Sequence, residues 1–221
     1  MWDAAANVCR PAEGDCFAWA KFWQGGLVWY GGLIGAGVYG IHFLRKEGFP
    51  VLKGIDAAGM FLTLGVFFGR LGCWFGGCCY GIHGDDLFSA VRFPPYSPAS
   101  EAHYRAGLLS TPAVESLPVL PMQLYEALGC LLVAGFCMLV LHPRKRFDGQ
   151  IFCVSMAGYA VVRFVLEFFR DDERGAFLGL STSQWIGLAI VAGMAVMWAR
   201  WSKLAREKMS APLPEEAAAA A

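Results

Sequence analysis

Residues 151–169 read IFCVSMAGYAVVRFVLEFF, and this stretch decides the kind of fold to expect. Its length matches the roughly 20 residues that a helix needs to cross a bilayer. Only Arg163 and Glu167 within it are charged. Tyr159, Arg163 and Glu167 recur at i, i+4 and i+8, and Arg170 follows three positions later, so all four belong to one stripe of a helix. A charge near the middle of such a helix costs roughly 2.5–3.5 kcal/mol, so it is kept only where it pairs or faces a wet cavity.

Four further apolar runs flank this one, at 22–44, 55–74, 124–141 and 184–201. Together they predict an all-α integral membrane protein, a bundle of about five transmembrane helices with one long extracytoplasmic loop at 80–122. The composition agrees: 57% of residues are hydrophobic, mean hydropathy is +0.46 and only 16% are charged, against about a quarter in ordinary soluble domains. Net charge is zero, so no basic patch supports nucleic-acid binding. Residues 1–21 contain Asp3, Arg10, Glu13 and Asp15, which interrupt any signal-peptide core. They read as a polar extracytoplasmic arm, with a membrane domain at 22–201 and a cytoplasmic tail at 202–221, its end disordered.

Basic residues orient the chain. Arg45, Lys46 and Lys53 follow the first span, Arg144, Lys145 and Arg146 the third, and Arg200, Lys203, Arg206 and Lys208 the fifth. These ten fall on one side and six on the other, in longer segments. By the positive-inside rule the N-terminus is outside and the C-terminus inside.

The intramembrane polar residues then fall at one level. Arg70 lies about 22 Å and Arg163 about 18 Å above the cytoplasmic boundary, at roughly 1.5 Å of rise per residue. Glu167 is a turn higher, Tyr30 lies below the outer start of its span, and Gln123, Tyr125 and Glu126 enter the third span from outside. Arg163 can pair with Glu167 on its own helix, but Arg70 has no carboxylate at its depth in its own span. Two guanidiniums facing one chamber suit an anionic ligand, because the planar fork matches phosphate oxygens and keeps its proton. At that depth the simplest anion is a phospholipid headgroup.

Residues 69–81, GRLGCWFGGCCYG, end the second span, and their glycines allow the backbone to leave the helix and approach a ligand. Cys73, Cys78, Cys79 and His83 do not follow the spacing of a structural zinc site, so no metal is expected. A disulfide among the three cysteines, another between Cys9 and Cys16, or thiols simply packed in a tight turn remain open. Cys130, Cys137 and Cys153 read as packing residues within spans. In the proline-rich loop, residues 90–93 read as a short strand.

Four motifs carry a resemblance over about residues 23–190: W-x-G-G-x-x-x-x-G-G-L-I-G from Trp23 to Gly35, G-R-x-G from Gly69 to Gly72, P-M-Q-L-Y-E from Pro121 to Glu126, and Y-x-x-x-R-x-x-x-E-F-F-R from Tyr159 to Arg170. With them the chain resembles the prolipoprotein diacylglyceryl transferases of bacterial inner membranes. The resemblance implies transfer of diacylglyceryl from phosphatidylglycerol to the lipobox cysteine thiol of a preprolipoprotein, with glycerol phosphate leaving and no cofactor. Its implied partners are phosphatidylglycerol, the preprolipoprotein signal peptide and membrane lipid. It implies that Arg70 and Arg163 hold the phosphate, that Glu167 orients Arg163, and that Gln123, Tyr125, Glu126, Tyr159 and Arg170 line the headgroup pocket with Gly31, Gly32, Gly69, Gly72 and Cys73. The chain departs from the pattern at Tyr30, where the family has the histidine that is its candidate base. It departs again at Cys73, Gly76 and Cys78, where the family has Asn, Asn and Glu. The family's further N-terminal spans are expected to be missing here. Two alternatives accompany this expectation: a non-catalytic lipid or lipoprotein binder on the same scaffold, and a membrane thiol-redox protein.

Overall fold

The computed structural model describes residues 28–84, 89–170, 176–177 and 179–210. The chain divides into two compact units, Met1–Gly54 and Ile55–Ala221. In the first, helix α1 (Val28–Lys46) ends on Arg45 and Lys46, the charge that a helix C-terminus favours. Gly48, at φ 66°, turns the chain back, and Phe49 N–H donates to the Leu44 carbonyl at 2.9 Å. Helix α2 (Val51–Phe75) begins here. Gly54 fits against Leu44 so closely that a Cβ would come within 2.4 Å of its Cδ1.

The second unit holds the rest of α2, a short helix α3 (Pro98–Arg105), α4 (Met122–Gly135), α5 (Gln150–Leu166), a two-stranded hairpin of β1 (Ala176–Phe177) and β2 (Leu180–Ser181), and α6 (Thr182–Ser210). In the hairpin, Ala176 pairs antiparallel with Ser181 and Phe177 with Leu180. Helix α4 loosens into a π turn over Phe136–Leu141 and a 3-10 turn over His142–Arg144, and α5 tightens into a 3-10 turn over Glu167–Phe169. Four of the helical stretches are long and apolar enough to cross a membrane: Val51–Phe75, Met122–Arg144, Gln150–Phe169 and Ser183–Ser210. This is an all-α integral membrane architecture. The expected first span is helical from Val28 onward, and its residues 22–27 lie outside the described ones.

Polar pairing and small residues hold the helices together. Cys130 and Cys137 of the α4 stretch and Cys153 of α5 are buried, as expected of packing residues. Leu128, Leu132, Val161 and Val165, on the other faces of the same helices, are exposed and suited to lipid. Gly129 lies against Val162 and Gly158 against Val133, where a Cβ would approach to 2.6 and 2.9 Å, so α4 and α5 are in close contact. Where α2 crosses α5, Ser155 Oγ donates to the Gly59 carbonyl at 2.6 Å and also contacts Thr63 Oγ.

A buried carboxylate fixes the start of α5. Gly149, at φ 94°, has no side chain to cap the helix; Asp56 of α2, only 2% exposed, accepts from Gly149 N–H at 2.9 Å and Phe152 N–H at 3.0 Å instead. Lys145 Nζ lies 3.3 Å from Asp56 and 2.9 Å from Asp148. Desolvation acts to lower the Lys145 pKa, but hydrogen bonds and charge from Asp148 and Asp56 outweigh it and hold the ammonium above the usual lysine range.

The structure corrects one sequence expectation and adds detail to two others. The segment 202–210, expected to follow the fifth span as the start of a tail, is helical and continues α6. The strand expected at 90–93 reduces to a single bridge between Val91 and Val119, because Pro94 and Pro95 follow at once. In the loop, Pro98 opens α3 at a position where no N–H is needed, and Ser97 Oγ caps it by accepting from Ser100 N–H at 3.2 Å. The loop's own small core of Phe93, Ala99 and Val119 packs with Trp74, Tyr80 and Val91.

Candidate active site

Antiparallel helices bring the end of α2, the start of α4, the end of α5 and the start of α6 to one end of the unit. Gly81 pins this junction. It donates its N–H to the Leu120 carbonyl at 2.9 Å, and a Cβ there would meet Met122 Cγ at 2.5 Å and the Phe169 carbonyl oxygen at 2.6 Å. Only glycine fits between the loop, α4 and α5.

Arg70, four-fifths of the way along α2, finds its carboxylate on another helix: its Nη2 lies 2.9 Å from Glu126 Oε1 of α4, which is 1% exposed. Arg163 pairs within α5, Nη2 to Glu167 Oε2 at 2.7 Å. The two pairs are not separate systems. The field of Glu126 also reaches Arg163 and Tyr159, and Arg70 acts on both of them. Arg170 acts on Arg163 as well, and its N–H closes the 3-10 turn on the Glu167 carbonyl at 3.3 Å.

Several buried polar atoms at this junction lack a hydrogen-bond partner: Arg163 Nη1, Gln123 Oε1, Glu126 Oε1 and Glu167 Oε2. The two glutamate oxygens are ion-paired with guanidiniums at 2.9 and 2.7 Å, whereas Arg163 Nη1 and Gln123 Oε1 have no such neighbour. Leaving such a group unpaired costs about 1–3 kcal/mol. Arg163 Nη1 and Gln123 Oε1 are a donor and an acceptor that a ligand carrying both an anionic oxygen and hydroxyl groups would satisfy. Gln123 is fixed for this by its Nε2, which donates to the Cys78 carbonyl at 2.6 Å.

The expected residues divide accordingly. Arg70, Glu126, Tyr159, Arg163 and Glu167 form one electrostatic group, with Gln123 buried at the start of α4 and Arg170 within reach of Arg163. Gly69 and Gly72 are helical positions of α2, where a Cβ would meet nothing within 4 Å; the chain leaves the helix only at Gly76 and Gly77. Cys73 sits one turn beyond Gly69, and its thiol acts on Arg70. Tyr125 is exposed and its hydroxyl contacts Ser89 Oγ, on a different side of α4 from Glu126. Tyr30, Gly31 and Gly32 lie within α1, and their side chains fall outside the described residues. Burial, reinforced by the neighbouring Cys79 and Cys73, pushes the Cys78 thiol up to about 12.

Two residues absent from the expectation complete the site. Ser181 Oγ donates to Glu167 Oε1 at 2.9 Å, holding the carboxylate oxygen that faces away from Arg163. Ser181 is in turn locked by Gln184, 3% exposed: Gln184 N–H donates to Ser181 Oγ at 3.3 Å and Ser181 N–H to Gln184 Oε1 at 2.9 Å. This is a capping box at the start of α6. Its Ser-x-x-Gln signature is visible in the sequence, but its contact with Glu167 is not.

Comparison with known proteins adds lineage to this geometry. A family model described as prolipoprotein diacylglyceryl transferase matches residues 14–200. Proteins named phosphatidylglycerol–prolipoprotein diacylglyceryl transferase are similar to the chain. The one from Clostridium tetani is 34% identical over 175 residues, 77% of this chain and 63% of that protein. That from Verminephrobacter eiseniae is 31% identical over 186 residues, 80% and 60%. That from Neisseria meningitidis serogroup B is 31% identical over 182 residues, 77% and 63%. The matched region therefore spans about six-tenths of these relatives' length.

Proposed function

The chain belongs to the prolipoprotein diacylglyceryl transferase family, and from that premise we propose that it transfers the diacylglyceryl group of phosphatidylglycerol to the lipobox cysteine thiol of a preprolipoprotein. In this step a sulfur–carbon bond forms at the glyceryl carbon that bears the phosphate. The carbon–oxygen bond breaks, and glycerol phosphate leaves with the electron pair. The observation that carries the reading is the orphaned, buried Arg163 Nη1, in the same electrostatic group as Arg70 and with the unpartnered Gln123 Oε1 at the same junction. The guanidiniums take the phosphate oxygens and stabilise the charge that builds on the leaving group. Gln123 Oε1 accepts from a headgroup hydroxyl, and Glu126 lines the pocket beside it. Glu167 holds Arg163 in place, Tyr159 and Arg170 border the phosphate, and Gly69, Gly72 and Cys73 line the approach with Tyr125 at its rim.

The acceptor thiol has an ordinary pKa near roughly 8.5 and needs a base at neutral pH. Tyr30, followed by Gly31 and Gly32, occupies the family's histidine position and is the residue proposed for that role, taking up the thiol proton in its phenolate form. The protein sits in the bacterial inner membrane with five spans, N-terminus out and C-terminus in, so that the site meets lipid and substrate at the outer leaflet.

Labelled phosphatidylglycerol and a lipobox peptide, supplied to the protein in proteoliposomes, test this. Arg70→Ala and Arg163→Ala are each expected to lower turnover by at least about a hundredfold, the scale of losing a preorganised charge contact. Undiminished turnover in both ends the reading. The tyrosine at position 30 favours a second one, a binder without turnover. Headgroup binding with no product, and activity gained in Tyr30→His, would select it.

A further inference from the structure

The end of α2 gathers three thiols. Cys78 N–H donates to the Cys73 carbonyl at 3.2 Å and Gly77 N–H to the Trp74 carbonyl at 3.2 Å, with Gly77 left-handed at φ 65°. These bonds define a Schellman cap, in which the third residue from the helix end and the second residue beyond it come into side-chain contact. In most proteins that contact is apolar; here both positions are cysteine, Cys73 and Cys78. Neighbours in an extended chain would point apart. Cys79 is itself left-handed, at φ 61°, a conformation that costs a residue with a Cβ roughly 1–2 kcal/mol. The outcome is that the sulfurs of Cys73, Cys78 and Cys79 all lie within 4.8 Å of one another, each thiol free and part-buried.

We propose that Cys73, Cys78 and Cys79 form a three-sulfur site for a soft, thiophilic d10 cation of the zinc(II)–copper(I) class. Metal–sulfur bonds of about 2.3 Å need sulfurs roughly 4 Å apart, so side-chain rotation alone closes the site. Three sulfurs without a nitrogen or oxygen donor select soft cations over magnesium or calcium. Among the described residues no further His, Cys, Asp or Glu joins the group, which leaves a coordination position open. Each sulfur gives its proton to solvent as the metal–sulfur bond forms, and no redox change is involved. Three thiolates around a divalent ion carry one net negative charge. The Arg70 guanidinium, one turn back on α2 and paired with Glu126, acts on both Cys73 and Cys79 and favours that charge. The linear spacing argued against a metal because it matches no structural zinc pattern; the Schellman turn and the left-handed Cys79 converge the thiols in a way that spacing does not record. The proposal stands on this turn and not on which lipid the neighbouring arginines hold.

The test uses the full chain, purified in detergent under a phosphine reductant and loaded separately with Zn2+ and, anaerobically, with Cu+. Metal content per chain and the X-ray absorption edge of the bound metal are then measured. The expected result is a single equivalent of one or both ions with a sulfur-only shell near 2.3 Å. Cys78→Ser is expected to weaken binding by at least about tenfold, and the triple serine variant, with unchanged helicity, to retain none. A wild-type protein that binds neither ion overturns the proposal. So do a nitrogen- or oxygen-dominated shell, equal metal in the triple variant, or a disulfide within the trio in protein thiol-blocked directly in membranes.

Discussion

Arg163 shows how one side chain is placed by a relay. Its carboxylate partner Glu167 lies a turn along α5, and Glu167 is held in turn by Ser181, whose hydroxyl is fixed by the α6 capping box. A hydrogen bond to a charged group is worth about 1.5–3 kcal/mol. Ser181→Ala frees one Glu167 oxygen, and turnover in the phosphatidylglycerol assay is expected to fall about ten- to a hundredfold. Ser181→Thr keeps the hydroxyl and is expected to restore most of it. An alanine variant as active as the parent, or a threonine variant as slow as alanine, removes Ser181 from the relay. The i, i+4 partnership of Arg163 and Glu167 was legible along the chain, since helical spacing alone sets it. The partner of Arg70 was not: Glu126 lies 56 positions away in sequence, and only the packing of α2 against α4 selects it.

At the scale of elements, the same glycine residue type has opposite meanings on two faces of α2. Gly59 lies so near α5 that a Cβ would come within 2.9 Å of the Phe152 Cα, whereas at Gly65 it would meet nothing within 4 Å. Gly59→Ala must push backbones apart and is expected to cost about 1–3 kcal/mol. Gly65→Ala is expected to be neutral or to gain up to about 1 kcal/mol from helix propensity. Thermal unfolding in detergent separates the two, and a Gly59→Ala protein as stable as the parent would contradict the tight crossing. Hydropathy located the helices well because bilayer thickness imposes a length. It marked the end of the fifth span at 201 and not the end of the helix, since a helix keeps its backbone bonds without an apolar sequence, and α6 continues to Ser210 on charged residues. It could not see the Asp56 cap, because nothing local to Asp56 marks the helix that it caps.

For the whole molecule, the basic bias predicts an orientation that reporter fusions can check. A fluorescent protein joined after Ser210 is expected to fluoresce inside the cell, and alkaline phosphatase inserted at the exposed loop residue Gly107 to be active outside. The reverse pattern would invert the topology. Membrane class, the apolar helices and the identity of the charged residues were determined by the sequence alone, because the cost of placing polar groups in hydrocarbon acts on each segment separately. Convergence was decided only by the tertiary structure. The Arg70–Glu126 pair, the orphaned atoms around Arg163, the Ser181 relay and the three-thiol turn all depend on distances between segments or on left-handed backbone, and no one-dimensional pattern encodes those.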